Sequence, residues 1–68
     1  MTDNQTAVVN YRLRSGYKAY KCKYLGIKNC VYATKGKHNM VINDNGYDIF
    51  RPGYYPTNLE EIRLSNNT

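Results

Sequence analysis

Polar and apolar positions alternate well over residues 17–27, with Tyr20, Cys22 and Tyr24 falling on one side and Lys21 and Lys23 on the other. A period of two is that of a half-buried strand, so these residues predict a strand whose lysines face solvent. A helix would scatter the same lysines around its surface. Residues 29–34, with Cys30, Val31, Tyr32 and Ala33, predict a second strand, and residues 39–43, with Met40, Val41 and Ile42, a third. Residues 47–51 read as a fourth strand, stopped by Pro52, which has no N–H to donate to a ladder.

Between these segments glycines recur every ten residues, at Gly16, Gly26, Gly36 and Gly46. Asp44-Asn45-Gly46 is the strongest turn signal, because Asn-Gly favours a tight hairpin. Short strands at such regular spacing predict an all-β sandwich or small barrel. Residues 51–56 carry two prolines and predict irregular structure. Thr57-Asn58-Leu59-Glu60 has capping-box spacing, so a helical turn could begin at Asn58. Leu59, Ile62 and Leu64 suit either that turn or a closing strand, and both readings stay open. Polar residues 1–7 and 65–68 read as flexible tails around a domain spanning residues 8–64.

Sixty-eight residues make a single small domain with little surface to bury. Eight Tyr and Phe50 supply much of its buriable area. No apolar run approaches the roughly 20 residues that cross a bilayer. Residues 1–6 lack the basic start and apolar centre of a secretory signal. The expectation is a soluble cytoplasmic protein with no membrane partner. Cys22 and Cys30 then read as small buried side chains in a reducing compartment. A hairpin centred on Gly26 would set them opposite each other at disulfide range, and a turn one or two residues later would separate them. A metal site would have to draw on Cys22, Cys30 and His38, without the close Cys pair of structural zinc sites, so no metal or other cofactor is expected.

The stretch Tyr17-Lys18-Ala19-Tyr20-Lys21-Cys22-Lys23-Tyr24-Leu25-Gly26 resembles the first long strand of an SH3-like small β-barrel, the layout that SH3, Tudor and KOW modules share. Tyr47-Asp48-Ile49-Phe50-Arg51-Pro52 is similar to the fourth strand of such a barrel running into its short helical turn. Small bacteriophage-encoded proteins built on this plan are similar in size and order. The resemblance covers residues 8–64 and implies a single five-stranded barrel with a helical turn near the C-terminus. Two features depart from its peptide-binding members: the expected acidic loop is basic, and there is no Trp.

Charge narrows the function. No acid lies between Tyr11 and His38, while that stretch holds Arg12, Arg14, Lys18, Lys21, Lys23, Lys28, Lys35 and Lys37. The other positions hold two bases, Arg51 and Arg63, against five acids, and the chain carries +5. The total is ordinary for a small domain, but its segregation is not. A contiguous positive field with interleaved Tyr rings predicts binding to nucleic acid, RNA or single-stranded DNA, with little sequence preference. The predicted contacts are the six lysines, Arg12 and Arg14 on a flanking arm, and Tyr17. The alternative is a small phage protein that binds and modulates or inhibits a host protein, anchored on an acidic surface by Arg51, Tyr54 and Tyr55 between two prolines. The oligomeric expectation is a monomer or a weak homodimer through strand edges. Catalysis is not expected. Glu60 and Glu61 point to opposite faces if extended, His38 reads as a solvated turn residue, and no Ser-His-Asp pattern or phosphate-cradling glycine loop occurs.

Overall fold

The computed structural model describes residues 1–63. Helix α1 spans Asp3–Arg14, followed by strands β1 (Lys18–Tyr24), β2 (Ile27–Lys35), β3 (His38–Ile42) and β4 (Thr57–Ile62). The strands form one antiparallel sheet in the order β3-β2-β1-β4. It is open, with four strands among the described residues, so the five-stranded closed barrel expected from sequence is corrected.

Helix α1 corrects a second expectation, that of a flexible tail over residues 1–7 and a flanking arm carrying Arg12 and Arg14. Thr2 caps the helix, its Oγ1 accepting from the Gln5 N–H at 3.2 Å and donating to the Asp44 carbonyl. Gln5, Val9 and Leu13 recur every four residues on one face. Val9 is fully buried against Ala19, Val31, Ala33, Met40 and Ile42, with Val8, Leu13, Tyr17 and Ile62 closing the edges. Gln5 is buried as well, and its amide nitrogen donates to the carbonyls of Asn29 (2.5 Å) and Ile42 (3.2 Å).

The opposite face of the sheet buries Cys22, Tyr24, Cys30 and Val41 beneath Ile49 and Phe50. The inside and outside of β1 follow the predicted alternation: Cys22 and Tyr24 are buried, and Lys21 and Lys23 exposed. Both faces nevertheless carry a core, because Ala19 lies buried under the helix on the lysine side.

Residues 47–51 lie along the outer edge of β3 and do not form the predicted strand. Ile49 N donates to Val41 O at 2.7 Å, but the Val41 N–H bonds the Asp48 carboxylate at 3.0 Å in place of a backbone carbonyl. That side-chain bond substitutes for a rung, and a single bridge, Ile42 with Asp48, is all that forms. The Asp44-Asn45-Gly46 turn forms as expected, with Gly46 N bonded to Asn43 O at 2.9 Å. Gly46 has φ +86°, and a Cβ there would come within 3.2 Å of Asn4 O and Val8 Cγ2, so only glycine lets the turn lie against the helix.

The open choice over residues 58–64 resolves to strand through Ile62, with Leu64 and the tail at 65–68 outside the described residues. Asn58 starts no helix; at φ 57° it sits where the β1–β4 register shifts, so two residues of β4 stand against Cys22 alone.

Candidate nucleic-acid interface

Strand direction decides where the eight bases go. The C-terminal turn of α1, the link into β1 and the β2–β3 turn meet at one end of the sheet, since Lys18 pairs with Thr34 and Lys35 with His38. Arg12, Arg14, Lys18, Lys35 and Lys37 therefore belong to that end. Lys21, Lys23 and Lys28 lie toward the β1–β2 turn. Lys18 and Lys23 are five residues apart, about 17 Å along a strand.

Tyr17 is the hub of the first group. Its hydroxyl lies 2.6 Å from His38 Nδ1, and the two rings meet edge-on at 5.8 Å. The Arg12 guanidinium carbon is 5.3 Å from the Tyr17 ring centroid and 5.3 Å from that of Tyr11. Lys35 Nζ is 5.8 Å from the Tyr17 centroid and donates to the Ser15 carbonyl at 2.8 Å. Cation–π contact orients both bases, and the helix C-terminus, with its partial negative charge, favours them. Among the described residues the only ion pair joins Arg63 to Glu61 at 3.4 Å, so none of the five bases is neutralised by a carboxylate. Arg12 Nε is buried without a partner.

The second group is differently placed. Lys21 stands directly across from Glu60 of β4, which offsets its field. Lys23 and Lys28 border the β1–β2 turn. The single continuous patch predicted for all eight bases is thus two groups, five at one end of the sheet and three toward the other.

Sequence reasoning passed over two members of the cluster. His38 read as a solvated turn residue, but it begins β3 and bonds Tyr17. Tyr11, 60 % exposed, lies beside Arg12 and offers an open ring face. Its signal was the helix itself, which places Tyr11 and Arg12 in the last turn.

The other candidates lie elsewhere. Arg51, Tyr54 and Tyr55 are exposed on the segment leading into β4. The Tyr24 hydroxyl accepts from Arg51 N at 2.7 Å and lies 3.2 Å from the Arg51 and Tyr54 carbonyls, which share its proton. Cys22 and Cys30 are cross-strand partners and free thiols. The β1–β2 turn is centred between Leu25 and Gly26, but Lys28 and Asn29 both stand against Lys23, and this bulge, with Asn29 at φ 59°, restores the Cys22–Cys30 register. Burial, then the neighbouring Cys30, pushes the Cys22 thiol up to about 11, partly offset by a hydrogen bond from the Tyr32 backbone. Burial and Asp44 raise Cys30. Both are protonated at neutral pH and weakly nucleophilic. They line a cleft of about 160 Å³ with Met1, Gln5 and Lys21. Among the described residues no three His, Cys, Asp or Glu side chains cluster to hold a metal ion.

No family model, curated protein or solved structure matches this chain.

Proposed function

We propose that this protein is a non-catalytic module that binds RNA or single-stranded DNA, with little sequence preference, through the end of the sheet organised by Tyr17. The observation that carries this reading is that Arg12 and Lys35 converge on one ring, at the end of the sheet that also holds Arg14, Lys18 and Lys37, with no carboxylate paired to any of them among the described residues. The bases contact phosphates, and the exposed Tyr11 ring stacks on an unpaired base. Tyr17 serves as an organiser, since its ring and hydroxyl are already engaged. We read the sheet as an open relative of the SH3-like layout, in which β1 to β3 form a meander and β4 returns beside β1.

Fluorescence-anisotropy titration of a labelled single strand across salt tests the reading. Five phosphate contacts give a log–log salt slope of about −3.5 on a single strand and about −4.5 on duplex DNA. Lys35→Glu with Lys37→Glu should flatten that slope and weaken binding, whereas Arg51→Ala should leave it unchanged. Absence of binding at low salt ends the proposal.

A further inference from the structure

Two loops project from the end of the sheet opposite the Tyr17 cluster. The first is the β1–β2 turn, where Leu25 is 48 % and Ile27 46 % exposed. Leu25 has φ 49° and Gly26 φ 78°, so the turn needs left-handed backbone at both central positions, where Asn, Asp or Gly fit without strain. A branched aliphatic residue at the first of them is a backbone outlier. Packing does not account for Leu25, because its side chain is half exposed. The tip projects freely: a Cβ on Gly26 would meet nothing within 4 Å.

The second loop, residues 51–56, displays Tyr54 and Tyr55 at 55 % and 68 % exposure, and a Cβ on Gly53 would likewise meet nothing within 4 Å. Tyr24 ties the two loops together. It pairs with Ile27 across the turn, and its hydroxyl holds the backbone of Arg51 and Tyr54. Lys23 and Lys28 flank the Leu-Gly-Ile tip, and Arg51 opens the second loop. No Asp or Glu occurs in residues 18–42 or 49–56.

We infer that this end of the molecule docks peripherally on an anionic lipid surface. Leu25 and Ile27 enter the boundary between headgroups and acyl chains. Tyr54 and Tyr55 lie at headgroup level, where amphipathic rings partition. Lys23, Lys28 and Arg51 pair with anionic headgroups while their stems extend the apolar contact. A bilayer suits these loops better than a protein cleft, because exposed apolar and aromatic side chains share two projecting loops with Lys23, Lys28 and Arg51 and no acid. Such a surface lies on a membrane and does not cross it; among the described residues no helix is long and apolar enough to span one. The inference departs from the sequence-based expectation of no membrane partner. It is independent of nucleic-acid binding, which uses the other end.

Co-sedimentation with vesicles tests it, using phosphatidylcholine alone and equal parts phosphatidylcholine and phosphatidylglycerol. The chain should bind the mixed vesicles and leave the neutral ones largely unbound. Leu25→Asn with Ile27→Thr should weaken binding by about tenfold or more, because insertion scales with buried apolar area. Asn suits the left-handed position and Thr suits a strand, so thermal unfolding of that variant should match or exceed the parent. Lys35→Glu with Lys37→Glu should retain most of the vesicle binding. Failure to bind mixed vesicles at any lipid concentration overturns the inference and leaves the tips to a protein partner. Undiminished binding by the Leu25/Ile27 variant also overturns it, since charge alone would then be responsible. So does loss of binding in the Lys35/Lys37 variant alone, which would seat the vesicle on the other end.

Discussion

The hydroxyl of Tyr24, at the end of β1, accepts a hydrogen bond from the backbone N–H of Arg51 at 2.7 Å. Tyr24 is buried to 1 % exposure, with its ring stacked on Phe50 at 6.2 Å between centroids. One side chain thus provides core for the loop-covered face and a fixed point for residues 51–56, which have few backbone bonds of their own. Tyr24→Phe keeps the ring and frees the loop backbone. It should destabilise by about 1–3 kcal/mol in urea unfolding, the cost of an orphaned polar group. Tyr24→Ala should lose about 3–5 kcal/mol, as large-to-small aromatic changes do. A phenylalanine variant as stable as the parent would mean that the hydroxyl bonds contribute nothing.

Gln5 ties the first turn of α1 to the sheet through the Asn29 and Ile42 carbonyls. Gln5→Ala strands both acceptors and opens a void, so a loss of about 1–3 kcal/mol is expected by thermal or urea unfolding. Thr2→Ala removes the N-cap and should lose about 1 kcal/mol. Deleting residues 1–6 should unfold the chain by circular dichroism; a deletion that melts like the parent would return this segment to a tail.

Lys21 and Lys23 share a face, yet their substitutions should differ. Lys21→Glu sets a carboxylate directly across from Glu60, and like charges in that position lose about 0.2–1 kcal/mol. Lys21→Glu combined with Glu60→Lys should recover it. Lys23→Glu sits across from Thr57 at a bulge and should change stability by under about 0.5 kcal/mol. Urea midpoints of the three variants decide the matter.

The two thiols predict a stability loss in alkali. The thiol of Cys22, ordinarily near 9.0, is raised to about 11 in the folded protein, so the native state holds its proton more tightly than the unfolded chain. Its contribution is complete below pH 9.0 and is lost as pH rises toward about 11. Cys22→Ala should flatten that part of the melting-temperature profile relative to the parent. Reaction of the native protein with a thiol reagent at neutral pH should be slow, and should quicken in denaturant. A parallel profile for the alanine variant would assign the alkaline loss to other groups.

Gly46 fixes how closely the turn after β3 approaches the helix. Gly46→Ala combines a left-handed backbone with contacts of 3.2 Å to Asn4 and Val8, and should destabilise by more than about 1 kcal/mol. Gly26→Ala meets no neighbour, so only backbone strain opposes it. The smaller loss should be at Gly26, read from thermal unfolding.

Much of the central meander was legible without coordinates. Alternation at Tyr20, Cys22 and Tyr24 against Lys21 and Lys23 is a local property of extended backbone, and it sets which side of β1 carries the tyrosines. Hairpin turns are local too, so the glycine spacing located the β1–β2 and β2–β3 connections, and the separation of acids from bases needed only counting. The helix was less visible. Val8 and Val9 favour strands as readily as helices, and they become a helical face only against Ala19, Val31 and Met40, which lie far along the chain. The local cues were the Thr2-to-Gln5 spacing of a capping box and the four-residue recurrence of Gln5, Val9 and Leu13.

What the amino-acid sequence alone determined here is the set of near-neighbour preferences: the meander strands, their inward faces, the turns and the tally of charge. Tertiary structure decided what depends on distant partners. The Asp48 carboxylate takes a rung of β3 and denies residues 47–51 a strand, β4 closes on β1 instead of beginning a helix at Asn58, and the course of the strands divides eight cations between two ends. Side-chain alternation is written into a single strand, but the place of a charge on the molecule depends on which strands lie beside it.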